Sequence, residues 1–566
     1  ATLSLTKGQL VDIQMEYYEN SASAAAKLKW TGPSVAGISG AIIPQAYLFD
    51  ASGLSNRTPY AHAQSVTTQR NVAKGITLTG SGGALTYTVL SQPANGVLTG
   101  TAPYLTYTPN SSFSGTDGFT FLVNNGNGDS APATVSISVQ FALPQTHTWS
   151  SGVTGNLSDT TKWVGSLAPA PAGAANLALN FTPTGTYTVT HDLSNGFQLN
   201  QLNFSGTTTF SGTNALTFAA NGGSLPRLNQ NSANAVTVAP PLILSATTTL
   251  GGDHGGALTL NGLISGSGGL VKTNPGTLRI NNVTNTYTGG TILDRGTVTF
   301  PGGNGSVTPF FGTGPITINA EANLSGNRTI LSNPITINGG TVSGGNSFES
   351  VFSGPVTLNG IATINLGSTG GFRISGNVSG TGGIKTIGTN QWTMIGTNTY
   401  TGPTTIQAGT LRYQAVGAVA RGALIIETGA KANLNYTGNA FVTSLTLGGI
   451  SMPPGTYGSS ASSATFKNDG YFTSTSVGTI TVLTPSSVAL ALTSGSNPSA
   501  IGSTLTFTAT VTGNAPTGNV SFYAGTTLLG TGALNGSYQA SLSTSSLANG
   551  SHAITAVYAG NTNNAG

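Results

Sequence analysis

The phrase "PITIN" stands at Pro315 to Asn319, returns at Pro334 to Asn338, and comes back as "PVTLN" at Pro355 to Asn359. Successive copies start 19 and 21 residues apart (334 − 315 and 355 − 334), and the stretches between them are mostly Gly, Ser, Asn and Thr. Apolar and polar residues alternate within each copy, the period-2 pattern of a half-buried strand. A strand recurring at a fixed period of this size belongs to a supersecondary unit that buries its apolar side only by stacking on its neighbours.

Bulk composition fits such an array. Charged residues make up 6% of the 566 residues and 81 residues are glycine, whereas an average protein is roughly 25% charged. The 37% of hydrophobic residues fall in alternating runs, which argues for β-structure rather than disorder. The net charge of +4 comes from 18 scattered Lys and Arg with no basic run, so nucleic-acid binding is not expected. There are no cysteines and three methionines, which suits a protein exposed outside a bacterial cell. No stretch reaches the roughly 20 apolar residues of a membrane span. No signal-peptide pattern opens the chain, so export would require a signal already removed or lying upstream.

Residues 148–483 carry the repeat. "LISGSGGLVKTNPGTLRINNVTNTYTGGTILDRGTV" from Leu263 and "NVSGTGGIKTIGTNQWTMIGTNTYTGPTTIQAGTL" from Asn377 share an "SG.GG" turn, a Thr-rich strand and the phrase "NTYTG". They resemble the autotransporter-associated β-strand repeat, and the resemblance implies a right-handed parallel β-helix. One rung of such a helix needs about three short strands and three turns, which a period near 20 residues accommodates. The 335 residues (483 − 148) would make about 17 regular rungs and, at about 4.8 Å per rung, a rod on the order of 80 Å long. Thr, Val and Ile suit pleated faces, and Gly and Asn suit the corners. Thr479 to Leu483 is expected to be the last strand of the helix.

The fold class is therefore all-β: a right-handed parallel β-helix flanked by β-sandwich immunoglobulin-like modules. Residues 1–50 alternate at Val11, Ile13, Met15 and Tyr17 and again at Leu28 and Trp30, a β-hairpin. With "EYYE" and "IIPQAYLFD" this segment resembles the last third of a protective-antigen-type β-sandwich, whose calcium- and sugar-binding residues lie largely in the part not present. Residues 51–75 read as a linker or exchanged strand. Residues 76–140 have short alternating runs broken by "QPANG", "TPNSSFSGTD" and "NNGNGD". They resemble the cadherin-like or immunoglobulin-like modules of large bacterial surface proteins. Such modules often bind calcium through several carboxylates, but here Asp117 and Asp129 alone are available, too few for a tight site. Residues 485–566, with "GNVSFYAG" and "GSHAITAVYAG", resemble a bacterial immunoglobulin-like repeat lacking its last strand. Such partial ends fit the ordered part of a longer polypeptide, or sandwiches completed by a strand from a neighbouring copy.

Nothing in the residue pattern selects a catalytic, cofactor or metal site. All 14 acidic residues stand singly; those of the helix region are Asp159, Asp192, Asp253, Asp294, Glu321, Glu349, Glu427 and Asp469. Glycoside hydrolysis needs two carboxyl groups about 5–10 Å apart on one groove. Rungs could bring Asp294 near Glu321 or Glu349, but isolated carboxylates at turns more often accept from local backbone N–H groups. The pairs His191–Asp192 and Asp253–His254, if on strands, point to opposite faces. Trp30, Trp149, Trp163 and Trp392 are candidate sugar platforms, or core packing and a cap at the first rungs for Trp149 and Trp163.

The function expected is that of an extracellular or cell-surface structural and adhesive protein, not an enzyme, forming the repeating subunit of a self-assembling filament or layer. The alternative is a carbohydrate-binding or polysaccharide-degrading β-helix. Expected partners are further copies of the chain, through strand exchange or end-to-end contacts, and surface or matrix polysaccharide. Neither nucleic acid nor a membrane span is expected.

Overall fold

The computed structural model describes residues 58–111, 113–141, 144–150, 152–299, 309–326, 329–344, 349–367 and 371–566, with the backbone of Lys29–Trp30 and Ala41–Ile42. It is all-β, with three 3-10 turns as the helical elements among these residues. Two compact units result, Ala1–Leu143 and Pro144–Gly566.

In the first unit, alternation along Ala133–Gln140 and Gly115–Asn124 sends every second side chain inward. The strands order as Gln64–Gln69, Ala133–Gln140, Gly115–Asn124 and Thr86–Val89, and a second sheet orders Lys74–Thr77, Tyr104–Pro109 and Gly96–Thr101. Ile76, Tyr107, Phe119, Phe121, Val135 and Ile137 share the core. The stretch 58–75 is not a free connection, because Gln64–Gln69 pairs in parallel with Ala133–Gln140 and Lys74–Thr77 pairs with Tyr104–Pro109. Its pattern is faint because it supplies edge strands with polar faces, "QSVTTQ" burying Thr68 and half-burying Val66. The hairpin read in residues 1–50 lies outside the described residues, apart from antiparallel pairing of Lys29–Trp30 with Ala41–Ile42.

The second unit is dominated by a parallel β-solenoid of about 11 turns. The register along its first face runs Ala178, Gln201, Arg227, Thr249, Val271, Ile292, Thr317, Thr336, Thr357, Ser379. Nine steps cover 201 residues (379 − 178), about 22 per turn. That is longer than the 20 used above, and both ends depart from regular rungs, so the turns number fewer than the expected 17. A second face holds Thr186–Thr190, Thr207–Ser211, Val236–Val238, Leu258–Leu260, Thr277–Ile280 and their successors, and a third holds Phe197–Leu199 through Lys431–Leu434.

The opening phrase now has a physical account. Ile316, Ile318, Ile335, Ile337, Val356 and Leu358 are all at most 1% exposed and stack along the axis. Each such side chain contributes roughly 1.5–3 kcal/mol by leaving water. Proline has no N–H to give to the ladder, but its carbonyl still accepts: Pro334 from Ile316 N (2.8 Å) and Pro355 from Ile335 N (2.9 Å). The asparagines turn the corner and bond to one another, Asn338 Nδ2 to Asn319 Oδ1 at 2.7 Å and Asn359 Nδ2 to Asn338 Oδ1 at 2.9 Å. Asn319 Nδ2 in turn donates to Asp294 Oδ1 at 2.5 Å, so the ladder ends on an acceptor without N–H groups.

In the "SG.GG" turn, Gly266 and Gly380 have φ of +105° and +108°, values that only glycine adopts at little cost. Two residues on, a Cβ at Gly268 would lie 2.2 Å from the Ala246 carbonyl oxygen, and one at Gly382 would lie 2.1 Å from that of Gly360. The rungs therefore pack backbone on backbone at this corner.

Both ends of the solenoid are closed. Trp149 and Trp163 form an antiparallel bridge with ring centroids 5.1 Å apart, edge to face, and both rings lie against Phe181. At the other end Thr479–Val482 pairs in parallel with Asn439–Val442 and antiparallel with Gly455–Gly458, which interrupts parallel stacking. A sandwich follows, with sheets ordered Ser487–Ser494, Leu505–Thr512, Gln539–Thr544 and Thr527–Ala533, Asn519–Ala524, Ile554–Tyr558. The loop at Asn561–Asn564 ties it to the solenoid. Arg421 Nη2 donates to Asn561 O (2.5 Å), Thr484 N to Asn563 O (3.0 Å), and buried Asn564 bonds Asn514 through both its amide atoms.

The inward and outward assignments are checked by a pair of substitutions on one strand. Ile337→Ala should cost about 2–5 kcal/mol and lower the thermal midpoint, whereas Thr336→Ala should change stability by no more than about 0.5 kcal/mol. Equal effects would contradict the register.

Candidate functional site

A hydrolase would need two of the candidate carboxylates free on one groove. Asp294 takes the Asn319 amide, and Glu321 pairs with Arg295 Nε at 2.8 Å on the exposed surface. Glu349 pairs with Arg373 Nη2. These acids meet a residue on the next turn rather than the local backbone. Asp192 also acts between turns, accepting from Ser158 N at 3.0 Å and from the Ser158 hydroxyl. Asp159 and Asp469 hold turns. Asp159 accepts from Thr161 N and Oγ1, and Asp469 from Ser460 N at 2.8 Å; these bonds lower both carboxyls below the ordinary range. In the first unit Asp117 takes four hydrogen bonds, from Ala94 N, Asn95 N, Gly118 N and Tyr107 Oη, which commits its oxygens to the sandwich. Asp129 takes the Asn124 amide. Among the described residues no three His, Asp or Glu side chains gather where a metal ion could be held.

The histidine pairs do not lie on strands: His191 follows Thr186–Thr190, and Asp253 and His254 sit in a turn. His191 is 2% exposed among Phe197 and Phe210, and neither ring nitrogen makes a well-formed hydrogen bond, the Ala215 backbone being its polar neighbour. Burial pushes its pKa below the ordinary histidine value, against the opposing pulls of the Ala215 backbone and of Asp192. Trp149, Trp163 and Trp392 are at most 2% exposed, so none of the three offers a face to a sugar. Trp392 packs on Phe372 inside the third face, and the side chain of Trp30 lies outside the described residues.

The asparagine of the shared phrase "NTYTG" holds turns together, and its tyrosine makes a local bond. Asn285 Oδ1 accepts from Ile264 N and its Nδ2 donates to Phe310 O, joining the turn before to the turn after. Asn398 does the same with Val378 N and Ala418 O. Tyr287 and Tyr400 are buried, each with its hydroxyl on a threonine four residues later, Thr291 at 2.6 Å and Thr404 at 2.5 Å.

Sequence reasoning did not find Lys272. It occupies an inward position between Leu250 and Leu293 and is 1% exposed. Its Nζ donates to the carbonyls of Asn274 and Arg295, the latter at 2.9 Å. Asn274 Nδ2 gathers three more carbonyls, those of Gln230, Gly252 and His254. The ammonium thus neutralises a corner where backbone acceptors converge over several turns, and desolvation pulls its pKa down to about 8. The available signal was alternation in "GLVKT", which points Leu270 and Lys272 the same way.

Charge divides unequally among the faces. The second face carries Arg279, Arg295, Glu321 and Lys385, and the third carries Arg373, Arg412 and Lys431. The outward column of the first face carries Arg227 near its start and then runs Thr249, Val271, Ile292, Thr317, Thr336, Thr357, Ser379 without an ionisable group.

Known families match this architecture. Residues 270–300 and 387–412, which contain the two copies of "NTYTG", match the Passenger-associated-transport-repeat family. Residues 56–138 match the Bacterial Ig domain family, and 492–566 match the Bacterial Ig-like domain (group 3) family. The chain carries passenger repeats and bacterial Ig-like domains. A curated relative, the adhesin BmaC autotransporter of Brucella suis, is 33% identical over 164 residues, 28% of this chain. The matched part is 4% of that relative's length. A solved structure described as an alpha-galactosidase from Bacteroides fragilis aligns over 26% of this chain and 45% of that one, at 7% identity and a TM-score of 0.13, and carries no argument. Passenger repeats and Ig-like modules together make this an extracellular or cell-surface protein. Among the described residues no helix is long and apolar enough to cross a membrane.

The buried ionisable groups set a pH profile for stability. Lys272 has a folded pKa of about 8 against an ordinary 10.5, so between those values the unfolded chain holds a proton that the folded chain lacks, and stability rises with pH. Buried Tyr287, Tyr400 and Tyr413 have raised pKa values, Tyr400 to about 12, so stability falls once the unfolded tyrosines ionise above about 10. His191, depressed, adds stability present above its unfolded value and lost as pH falls below it. The thermal midpoint by tryptophan fluorescence should therefore climb from pH ~8 to ~10 and then drop. Lys272→Met should flatten the climb, and His191→Phe should reduce the acid loss; unchanged profiles would refute these assignments.

Proposed function

We propose that the chain is a non-catalytic adhesive segment of a bacterial surface protein, whose copies associate into a filament or layer. The observation that carries this reading is the use of polar chemistry along the solenoid. The asparagine ladder, the "NTYTG" asparagines, Lys272, and the carboxylates of Asp192, Asp294, Glu321 and Glu349 all make bonds that tie turn to turn. A solenoid built this way is a scaffold that holds outward faces in fixed register. The name of the Brucella suis relative, an adhesin, agrees with a surface-binding role.

The sparse charge supports self-association, since little electrostatic repulsion keeps copies apart. A head-to-tail contact that does not close on itself makes a filament. The carbohydrate-degrading alternative would need two carboxylates facing one groove, and a sugar platform would need exposed aromatic rings. Asp159, Asp192, Asp294, Glu321, Glu349 and Asp469 are engaged with other partners, and Trp149, Trp163 and Trp392 are inside.

Sedimentation and negative-stain microscopy of the purified chain at rising concentration test the reading. Growth of filaments or sheets, with no new reducing ends released from matrix polysaccharides, is the expected result. A chain that stays monomeric throughout, or that cleaves a polysaccharide, would overturn it.

A further inference from the structure

The first face of the solenoid differs from the other two in a way its own stability does not require. Over Thr249 to Ser379 its outward column is Thr, Val, Ile, Thr, Thr, Thr, Ser, all but the last β-branched. Ile292 is 39% exposed. On one side of this column stand exposed Pro315, Pro334 and Pro355, and on the other Asn319, Asn338 and Asn359. At that corner Asp294 is occupied by the Asn319 amide, and Arg295 and Glu321, just past it toward the second face, pair with each other. Surfaces that proteins keep apart carry charges on their sheet faces and edges. The other two faces of this solenoid have them, and the first face, after Arg227, has none from Thr249 to Ser379.

We propose that this Pro–Thr–Asn face is the lateral contact between two copies of the chain, laid sheet against sheet; the proposal rests on the self-association argued above and names its surface. The occupant follows from three features. The face is uncharged from Thr249 to Ser379, so it has no electrostatic complement on a charged partner. It is periodic, so a partner that meets one rung well meets all of them when it has the same repeat, and a second copy has the same repeat. Identical β-branched rows can interdigitate face to face with sheets about 10 Å apart.

The size of the face determines how the contact works. Seven rungs span about 30 Å and a three-residue strand about 10 Å, giving on the order of 300 Å² per copy. A standard stable interface buries about 800 Å² per partner. One pair of copies therefore binds weakly, and a firm connection comes from many copies displayed together, where each contact raises the effective concentration for the next.

The test compares the full chain with Thr336→Lys, in the middle of the face, and with Thr363→Lys, on the second face beside Lys385. Both sites are outward, so neither substitution disturbs the core, and equal thermal midpoints would confirm that both variants fold. Sedimentation equilibrium measures association, and clumping of beads coated with each chain measures the multivalent version. Thr336→Lys should weaken association at least about tenfold, because a lysine would be desolvated or set against its own copy. Thr363→Lys should leave association unchanged. Association of the unsubstituted chain should persist to about 0.5 M salt, since no charge pair contributes. If the unsubstituted chain associates and both variants match it, the face is wrong while self-association stands. If it does not associate even on beads, both fail. Retention of a monomeric chain on an insoluble polysaccharide, lost in Thr336→Lys, would reassign the face to a glycan and overturn the copy-to-copy contact.

Discussion

Everything in the solenoid follows from stacking at the inter-strand distance. Parallel rungs lie about 4.8 Å apart, so each residue has as its nearest neighbours the residues at the same position one turn before and one turn after. A side chain that suits its own position therefore also has to suit itself. Apolar residues satisfy the condition easily, as the stacked isoleucines of Ile316–Gly326 and Ile335–Asn338 do. Asparagine satisfies it because its amide both donates and accepts, so a row of asparagines closes its own hydrogen bonds. Glycine enters where two backbones touch, as at Gly268 and Gly382. Charged side chains fail the condition, since a stack of like charges repels. The scarcity of Lys, Arg, Asp and Glu is thus a consequence of the architecture as much as of the environment.

The exceptions show how the same constraint handles groups that do not stack with themselves. Asp294 stands at the end of an asparagine row, where an acceptor without hydrogens is wanted. Glu321 is set one turn from Arg295 and Glu349 one turn from Arg373, so each of these charges meets an opposite one on the neighbouring turn. Lys272 is the costliest case: an inward cation among leucines is retained because backbone carbonyls at the corner supply its counter-charge. Its pKa is lowered by the desolvation that comes with burial. Removing the lysine would relieve the desolvation but leave two carbonyls short of a donor, so its net effect at neutral pH is the difference of two opposed terms.

How much of this was legible in the sequence depended on whether a feature repeats. The all-β class, the solenoid and the flanking sandwiches were legible because "PITIN", "SG.GG" and "NTYTG" recur and because alternation marks inward positions within each copy. The number of turns was overestimated since period varies with corner length, and corner residues have no periodic signal. Edge strands such as Gln64–Gln69 were missed because one row of half-buried Val and Thr among polar residues resembles a connection. The carboxylates were expected at local turns, but several reach the next turn, about 20 residues away in sequence and adjacent in space. Lys272 was hidden for a related reason: its charge argued for the outside more loudly than its alternation argued for the inside.

The same reasoning separates the parts of the surface that structure dictates from those it leaves free. Inward residues, corner glycines and bridging asparagines are bound by stacking. Outward residues on the strands need only β-propensity, and Thr, Val, Arg and Lys all satisfy that to a tolerable degree. The second and third faces use the freedom and carry charges. The first face does not use it over seven consecutive turns, although Arg227 on the same column two positions earlier along the axis from Val271 shows that a charge is sterically acceptable there. A restriction that stacking does not impose has to come from outside the rung, from what the face meets, and an uncharged periodic surface meets another periodic surface best.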